Sequence, residues 1–117
     1  VAYWATWCVP CTSAEELAHL REIRKHLEAA GLGFISMPID ELDKVLEDDR
    51  ADTWLYPFWH KEEGHLAMLP REFVRTQGLN LPLFVIVNDQ GELLYFHNRK
   101  LDNQSAAELV TAALASR

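Results

Sequence analysis

Apolar and polar positions follow two different periods along this chain. Val1 to Ala5 is a short apolar run with β-branched and aromatic residues, the pattern of a buried strand. Beyond it Leu17, Leu20, Ile23, Leu27 and Ala30 recur at steps of three and four, while Glu15, Glu16, Arg21, Glu22, Lys25 and Glu28 occupy other faces. That spacing predicts an amphipathic helix of about 20 residues, stopped at Gly31. Phe34 to Ile39 predicts a second strand, ending near Asp40. A helix of that length can cross between parallel strands, so the first part of the chain reads as a βαβ unit.

The rest is less regular. Glu41 to Ala51 predicts a second helix. Thr53 to Pro70 has no period: Trp54, Tyr56, Phe58, Trp59, His60 and His65 stand among Pro57 and Gly64, an irregular aromatic-rich insertion. Arg71 to Gln77, closed by Gly78, predicts a short helix. Leu83 to Val87 is an apolar strand, Asn88 to Gly91 a turn, and Glu92 to His97 the return strand of a hairpin. Ser105 with Glu108 forms a capping box, opening a helix that turns Leu109, Val110, Ala113 and Leu114 inward. The order βαβ, connecting helices, then ββα predicts an α/β domain with a central mixed sheet flanked by helices.

Composition sets bounds on this picture. The 117 residues suffice for one domain, residues 1–117, and not for two, and 49 % of them are hydrophobic, ample for a core. Eleven Lys and Arg stand against 18 Asp and Glu, a formal charge of -7, which argues against a nucleic-acid partner. The acidity is concentrated: Asp40 to Asp52 holds seven acids against Lys44 and Arg50. That segment reads first as a solvated helix face or loop, and second as a docking patch for a basic partner. No apolar run approaches the ~20 residues of a membrane helix. The chain opens directly inside a strand, at Val1 rather than Met, so further N-terminal sequence is expected, with room for a signal peptide or membrane anchor.

Only two cysteines occur, Cys8 and Cys11, with Val9 and Pro10 between them. Cys-x-x-Cys spacing serves zinc sites as well as redox pairs. A zinc site would need two further ligands from His19, His26, His60, His65 and His97, none of which has a paired spacing of the finger type, so no metal is expected. The setting favours redox chemistry. The pair follows a strand and opens a helix, where unpaired N–H groups and the helix dipole favour a thiolate at Cys8. Cys11, one turn on, is placed to attack a mixed disulfide formed at Cys8. Pro10 costs little in a first turn, where its missing N–H has no acceptor anyway. Neither a Gly-rich phosphate loop nor a Gly-x-Ser-x-Gly elbow is present.

Trp4-Ala5-Thr6-Trp7-Cys8-Val9-Pro10-Cys11 resembles the active-site motif of the thioredoxin superfamily, and is especially similar to that of TlpA/ResA-type reductases. Leu81-Pro82 before an apolar strand, with Gly91 at the hairpin, resembles the family's cis-proline loop and the turn beyond it. The resemblance implies a thioredoxin-like fold and a thiol–disulfide oxidoreductase acting on protein disulfides, Cys8 the nucleophile and Cys11 the resolving thiol. It implies Trp7, Val9, Pro10, Leu81 and Pro82 as the substrate-contacting residues, with the role of the cis bond falling to Leu81-Pro82. It further implies an upstream electron donor, a monomer outside the cytoplasm, any membrane contact being through an N-terminal anchor, and no cofactor beyond the Cys8–Cys11 pair itself.

This sequence departs from the family in places. Ala2 stands where the family carries a buried Asp or Asn, which leaves Glu15, Glu16 or water as substitutes for the acceptor of the second thiol's proton. Glu16 replaces a helix-kinking proline, so the helix is expected to run straighter. Leu83 stands where Thr is common, which makes the groove more apolar. Two other functions fit the same framework: a binding or metal-chaperone module without turnover, and a thiol peroxidase. The peroxidase reading suffers because Ala5, not Thr, stands three residues before Cys8.

Overall fold

The alternation of side chains in Ala2–Trp4 sets which face of the sheet each residue fills. In the computed structural model, which describes residues 1–48, 72, 75 and 80–116, these three buried residues form β1. A single turn of helix, α1 (Val9–Thr12), follows, then α2 (Ala14–Ala29) and β2 (Ser36–Pro38). After α3 (Leu42–Glu47) the described chain resumes at Asn80 with β3 (Leu83–Val87), β4 (Leu93–His97) and α4 (Asn103–Ala115). The strands lie in the order β2-β1-β3-β4, with β1 parallel to β2 and antiparallel to β3, and β3 antiparallel to β4. The result is the expected mixed sheet built from βαβ and ββα. Among the described residues no helix is long and apolar enough to cross a membrane.

Period two divides the core. Ala2 and Phe84 face one side, where Leu20, Ile23 and Leu27 of α2 meet Leu101 and α4's Leu109 and Ala113. Tyr3, Leu83 and Val85 face the other side with Met37. Each aliphatic side chain so removed from water contributes about 1.5–3 kcal/mol. Val110 and Leu114 of α4 are half-buried beside this core. Trp4 donates its Nε1–H to Ser36 Oγ at 2.6 Å, tying β1 to β2 in the interior. Opposite Trp4, Pro38 ends β2, and the next N–H, that of Ile39, donates to Trp4 O at 2.8 Å.

The helix stop at Gly31 takes a Schellman form. Gly31 has φ +76°, its N–H donates to Glu28 O, and Leu32 N–H reaches Leu27 O. Gly91, φ +79°, closes the β3–β4 hairpin, with Asn88 Oδ1 accepting from Gln90 and Glu92 N–H.

Three expectations change. The helix after the cysteines is not continuous: Ser13 adopts extended angles (φ -66°, ψ 152°), ending α1 and capping α2 by accepting from Glu16 N–H. Glu16 is not on a solvent face; it is 2 % exposed, on the same stripe as Leu20, Ile23 and Leu27 at steps of four, three and four. The capping box of the last helix lies three residues earlier than expected, Asp102 with Ser105, so Ser105 is inside the first turn rather than ahead of it. The expected elements over Asp49 to Gly78, including the aromatic insertion Thr53 to Pro70, lie outside the described residues apart from Glu72 and Arg75, which are helical.

Candidate active site

Cys8 ends the loop leaving β1 and is the N-cap of α1, with Val9 and Pro10 as its first two helical residues. Cys11 N–H donates to Cys8 O at 3.1 Å, and Thr12 Oγ1 donates to the same carbonyl at 3.0 Å. This turn brings the two Cα atoms to 5.2 Å, inside the range a disulfide spans, and the two are joined. Both cysteines are buried, at 6 % and 3 % exposure, while the flanking Trp7 and Val9 are 66 % and 75 % exposed, and Pro10 is exposed too. The pair therefore lies under a rim of apolar side chains. Because the helix breaks at Ser13, the dipole aligned behind Cys8 is that of one turn, smaller than the long helix predicted.

The Leu81–Pro82 peptide bond is cis. Leu81 packs against the cluster formed by Trp4, Ala5, Cys8, Cys11 and Val45. Pro82 is buried, and with Cys11, Trp4, Leu17 and Ala2 it borders a void of about 10 Å³. The structure thus gathers Trp7, Cys8, Val9, Pro10, Cys11, Leu81 and Pro82 at one end of the sheet, at the C-terminal ends of β1 and β2.

Three polar residues hold this region in place: Asp40 and Asn98, which sequence reasoning did not assign to it, and Glu16, which it offered only as a substitute acceptor for the second thiol's proton. Asp40, read there as part of a solvated acidic run, is half-buried, and its Oδ2 accepts from Thr6 N–H (3.1 Å) and Thr6 Oγ1–H (2.5 Å). It fixes the loop two residues before Cys8. Glu16 accepts from the Leu101 N–H through both carboxylate oxygens, at 2.7 and 3.2 Å. Burial pushes its carboxyl up to about 7 despite the lowering effect of that N–H, with Glu15 adding to the rise and Lys100 opposing it. The third is Asn98. Its carboxamide is assigned with nitrogen toward two carbonyls, since the opposite orientation would set oxygen against oxygen. So oriented, Nδ2 donates to Asn80 O at 2.6 Å and Pro82 O at 3.2 Å. Only Glu16 carried a usable signal, the step of four to Leu20; the partners of Asp40 and Asn98 are set by the fold alone.

Solved structures similar to this chain include the following two. A protein assigned as thiol:disulfide interchange protein DsbE, from Chlorobium tepidum, aligns with a TM-score of 0.69 and 17 % identity, over 98 % of this chain and 76 % of its own. StoA from Bacillus subtilis aligns with a TM-score of 0.66 and 17 % identity, over 95 % of this chain and 78 % of its own. No protein-family model and no curated protein sequence matches the chain. The likeness establishes the fold: the chain has a thioredoxin-like fold, a mixed four-stranded sheet with flanking helices.

Proposed function

We propose that this protein is a thiol–disulfide oxidoreductase of the TlpA/ResA-like kind, working as a reductase of protein disulfides. The observation that carries the reading is the Cys8–Cys11 disulfide at the start of α1, with Leu81 packed on the cluster that holds both cysteines and Pro82 bordering the same void as Cys11. The likeness to a protein assigned to thiol:disulfide interchange supports it. In the reduced form, Cys8 thiolate attacks one sulfur of a substrate disulfide. A Cys8–substrate bond forms, the substrate S–S bond breaks, and the released thiolate takes a proton. Cys11, deprotonated in turn, attacks Cys8 Sγ, releasing the second substrate thiol and leaving the Cys8–Cys11 disulfide. The substrate gains two electrons and two protons, and an upstream dithiol donor resets the pair.

The exposed Trp7, Val9 and Pro10 with Leu81 form the rim against which an extended substrate segment packs. The pair supplies the redox chemistry itself, so the reaction calls for no further cofactor. The resemblance to TlpA/ResA-type reductases supports a position outside the cytoplasm, where protein disulfides persist.

Insulin reduction by the wild type, Cys8→Ser and Cys11→Ser tests the assignment. Both variants lose turnover, and Cys11→Ser accumulates a mixed disulfide with the substrate. Full activity in Cys8→Ser overturns the assignment of nucleophile. Stoichiometric metal retained by a wild type without turnover replaces the reading by a binding module. Equilibration of the pair with glutathione decides the direction: a potential near about -270 mV marks a reductant, one near about -120 mV an oxidant.

A further inference from the structure

Two of the polar contacts described above share a segment. Leu101, whose N–H is held by Glu16, and Asn98, whose side chain holds the carbonyls of Asn80 and Pro82, lie in the turn between β4 and α4. Glu16 stands five residues after Cys11, in the first turn of α2, where Ser13 fixes its N–H. Asn80 O and Pro82 O flank Leu81, which packs on the cluster that contains both cysteines. The contacts therefore close a ring. It runs from the cysteine turn through Ser13 and Glu16 to Leu101, along the turn to Asn98, and through the cis-proline loop back to the cysteines. His97 braces the same turn, its ring stacked on Phe84 of β3 at 6.2 Å between centroids and its Nε2 3.3 Å from Lys100 O.

We propose that Glu16 and Asn98 are positioning residues, and that residues 98–101 form a strap through which the helix after the cysteine pair sets the place of the Leu81–Pro82 loop against the disulfide. The inference rests on the oxidoreductase reading for its consequence in turnover, though not for its geometry. Chain connectivity alone does not impose this coupling: Glu16 and Leu101 are 85 positions apart, and Asn98 is 16 or more positions from both of its acceptors. Asn98 grips the carbonyls on either side of Leu81. Glu16 bonds Leu101 N–H where 2 % of the one residue and 3 % of the other is exposed, so neither partner can exchange the other for water without opening the core. The carboxyl of Glu16, raised by its burial, changes charge near neutrality, and the strength of its hold on Leu101 changes with it. The titratable groups adjoining it are Glu15 on its own helix and Lys100 on the turn, with His97 and Asp102 at the two ends of that turn.

The test combines kinetics with a readout independent of activity. In insulin reduction, Asn98→Ala and Glu16→Leu each raise KM on the order of fivefold with a smaller change in kcat, and the double variant is no worse than either single one, because both act through one strap. Glu16→Gln keeps an acceptor for Leu101 and restores KM, and its KM no longer carries the pH dependence that the Glu16 carboxyl adds to the wild type between pH 6 and 8. In parallel, the Leu101 amide resonance of the wild type titrates with a midpoint near 7, the titration vanishes in Glu16→Gln, and Glu16→Leu displaces the Leu81 amide resonance. Multiplying KM effects in the double variant, a Leu101 resonance indifferent to pH, or a Leu81 resonance unmoved by Glu16→Leu each overturn the strap. A wild type without turnover whose Leu101 and Leu81 resonances behave as described overturns the oxidoreductase reading and leaves the strap standing.

Discussion

Two helices of this protein begin with the same local arrangement and use it differently. At α4 the exchange closes on itself: Asp102 Oδ1 accepts from Ser105 N–H at 2.7 Å, and Ser105 Oγ accepts from Asp102 N–H at 2.9 Å. At α2 only the first half is made. Ser13 Oγ accepts from Glu16 N–H at 3.2 Å, but the Glu16 carboxylate crosses the core to Leu101 instead of returning to Ser13. The difference lies in reach. A serine arm can only come back to its own turn, while a glutamate can be sent elsewhere. The two starts then meet, because the consecutive N–H groups of Leu101 and Asp102 are taken by Glu16 and Ser105 respectively. A local cap stabilises one helix; an exported one couples two distant parts of the chain.

That contrast breaks most visibly at Glu16. Glu16→Ala leaves the Leu101 N–H buried without its acceptor and opens a cavity, for a loss of about 2–4 kcal/mol by denaturant titration at pH 5. A loss no greater than that of Ser105→Ala at the same pH would mean that the exported bond is worth no more than the local one.

The next effect is the pH dependence. The folded chain holds Glu16's proton up to about 7, against an ordinary 4.5, so between these values the native state binds a proton that the unfolded chain has released. The resulting stability is complete below about 4.5 and is lost as pH rises through 7. Denaturation midpoints of wild type and Glu16→Gln, compared from pH 4.5 to 8, isolate the carboxyl: the wild type loses more stability on raising the pH. Parallel curves would contradict the raised carboxyl. At α4 the sign reverses, since Asp102 is held below its ordinary value by the Ser105 N–H, and its contribution is lost as pH falls.

The smallest effects are the local caps themselves. Ser105→Ala removes the return bond of the closed box and costs about 1 kcal/mol. Ser13→Ala, at an exposed position, costs about 0.5–1 kcal/mol, read from the same denaturation curves.

The elements that follow from near neighbours were legible in the chain. β1, the amphipathic α2, its glycine stop, the β3–β4 hairpin and the adjacency of Cys8 to a helix start are all written in periods of two or about four and in turn residues. The cysteine pair could be singled out because its spacing and its place between strand and helix are local facts. What escaped depends on partners far along the chain. Glu16 was read as a surface acid, although its steps to Leu20, Ile23 and Leu27 place it on the buried stripe, because a carboxylate is expected inside only with a partner and Leu101 is 85 positions away. The break at Ser13 carries the same cap signature as any helix start, three residues before Glu16, but the continuing apolar period hid it. Asp40 was absorbed into an acidic run, and nothing local distinguishes Asn98 from any other turn residue.

Pro38, the last residue of β2, has a consequence for assembly. With Ile39 N–H turned toward Trp4, alternation along the strand turns position 38 the other way, and there the proline has no N–H to offer. Any further strand joining the sheet along that rim, from this chain or a neighbouring molecule, meets a missing rung beside the end of β2. Recruitment into an extended ladder is therefore blunted at the margin nearest the cysteine pair.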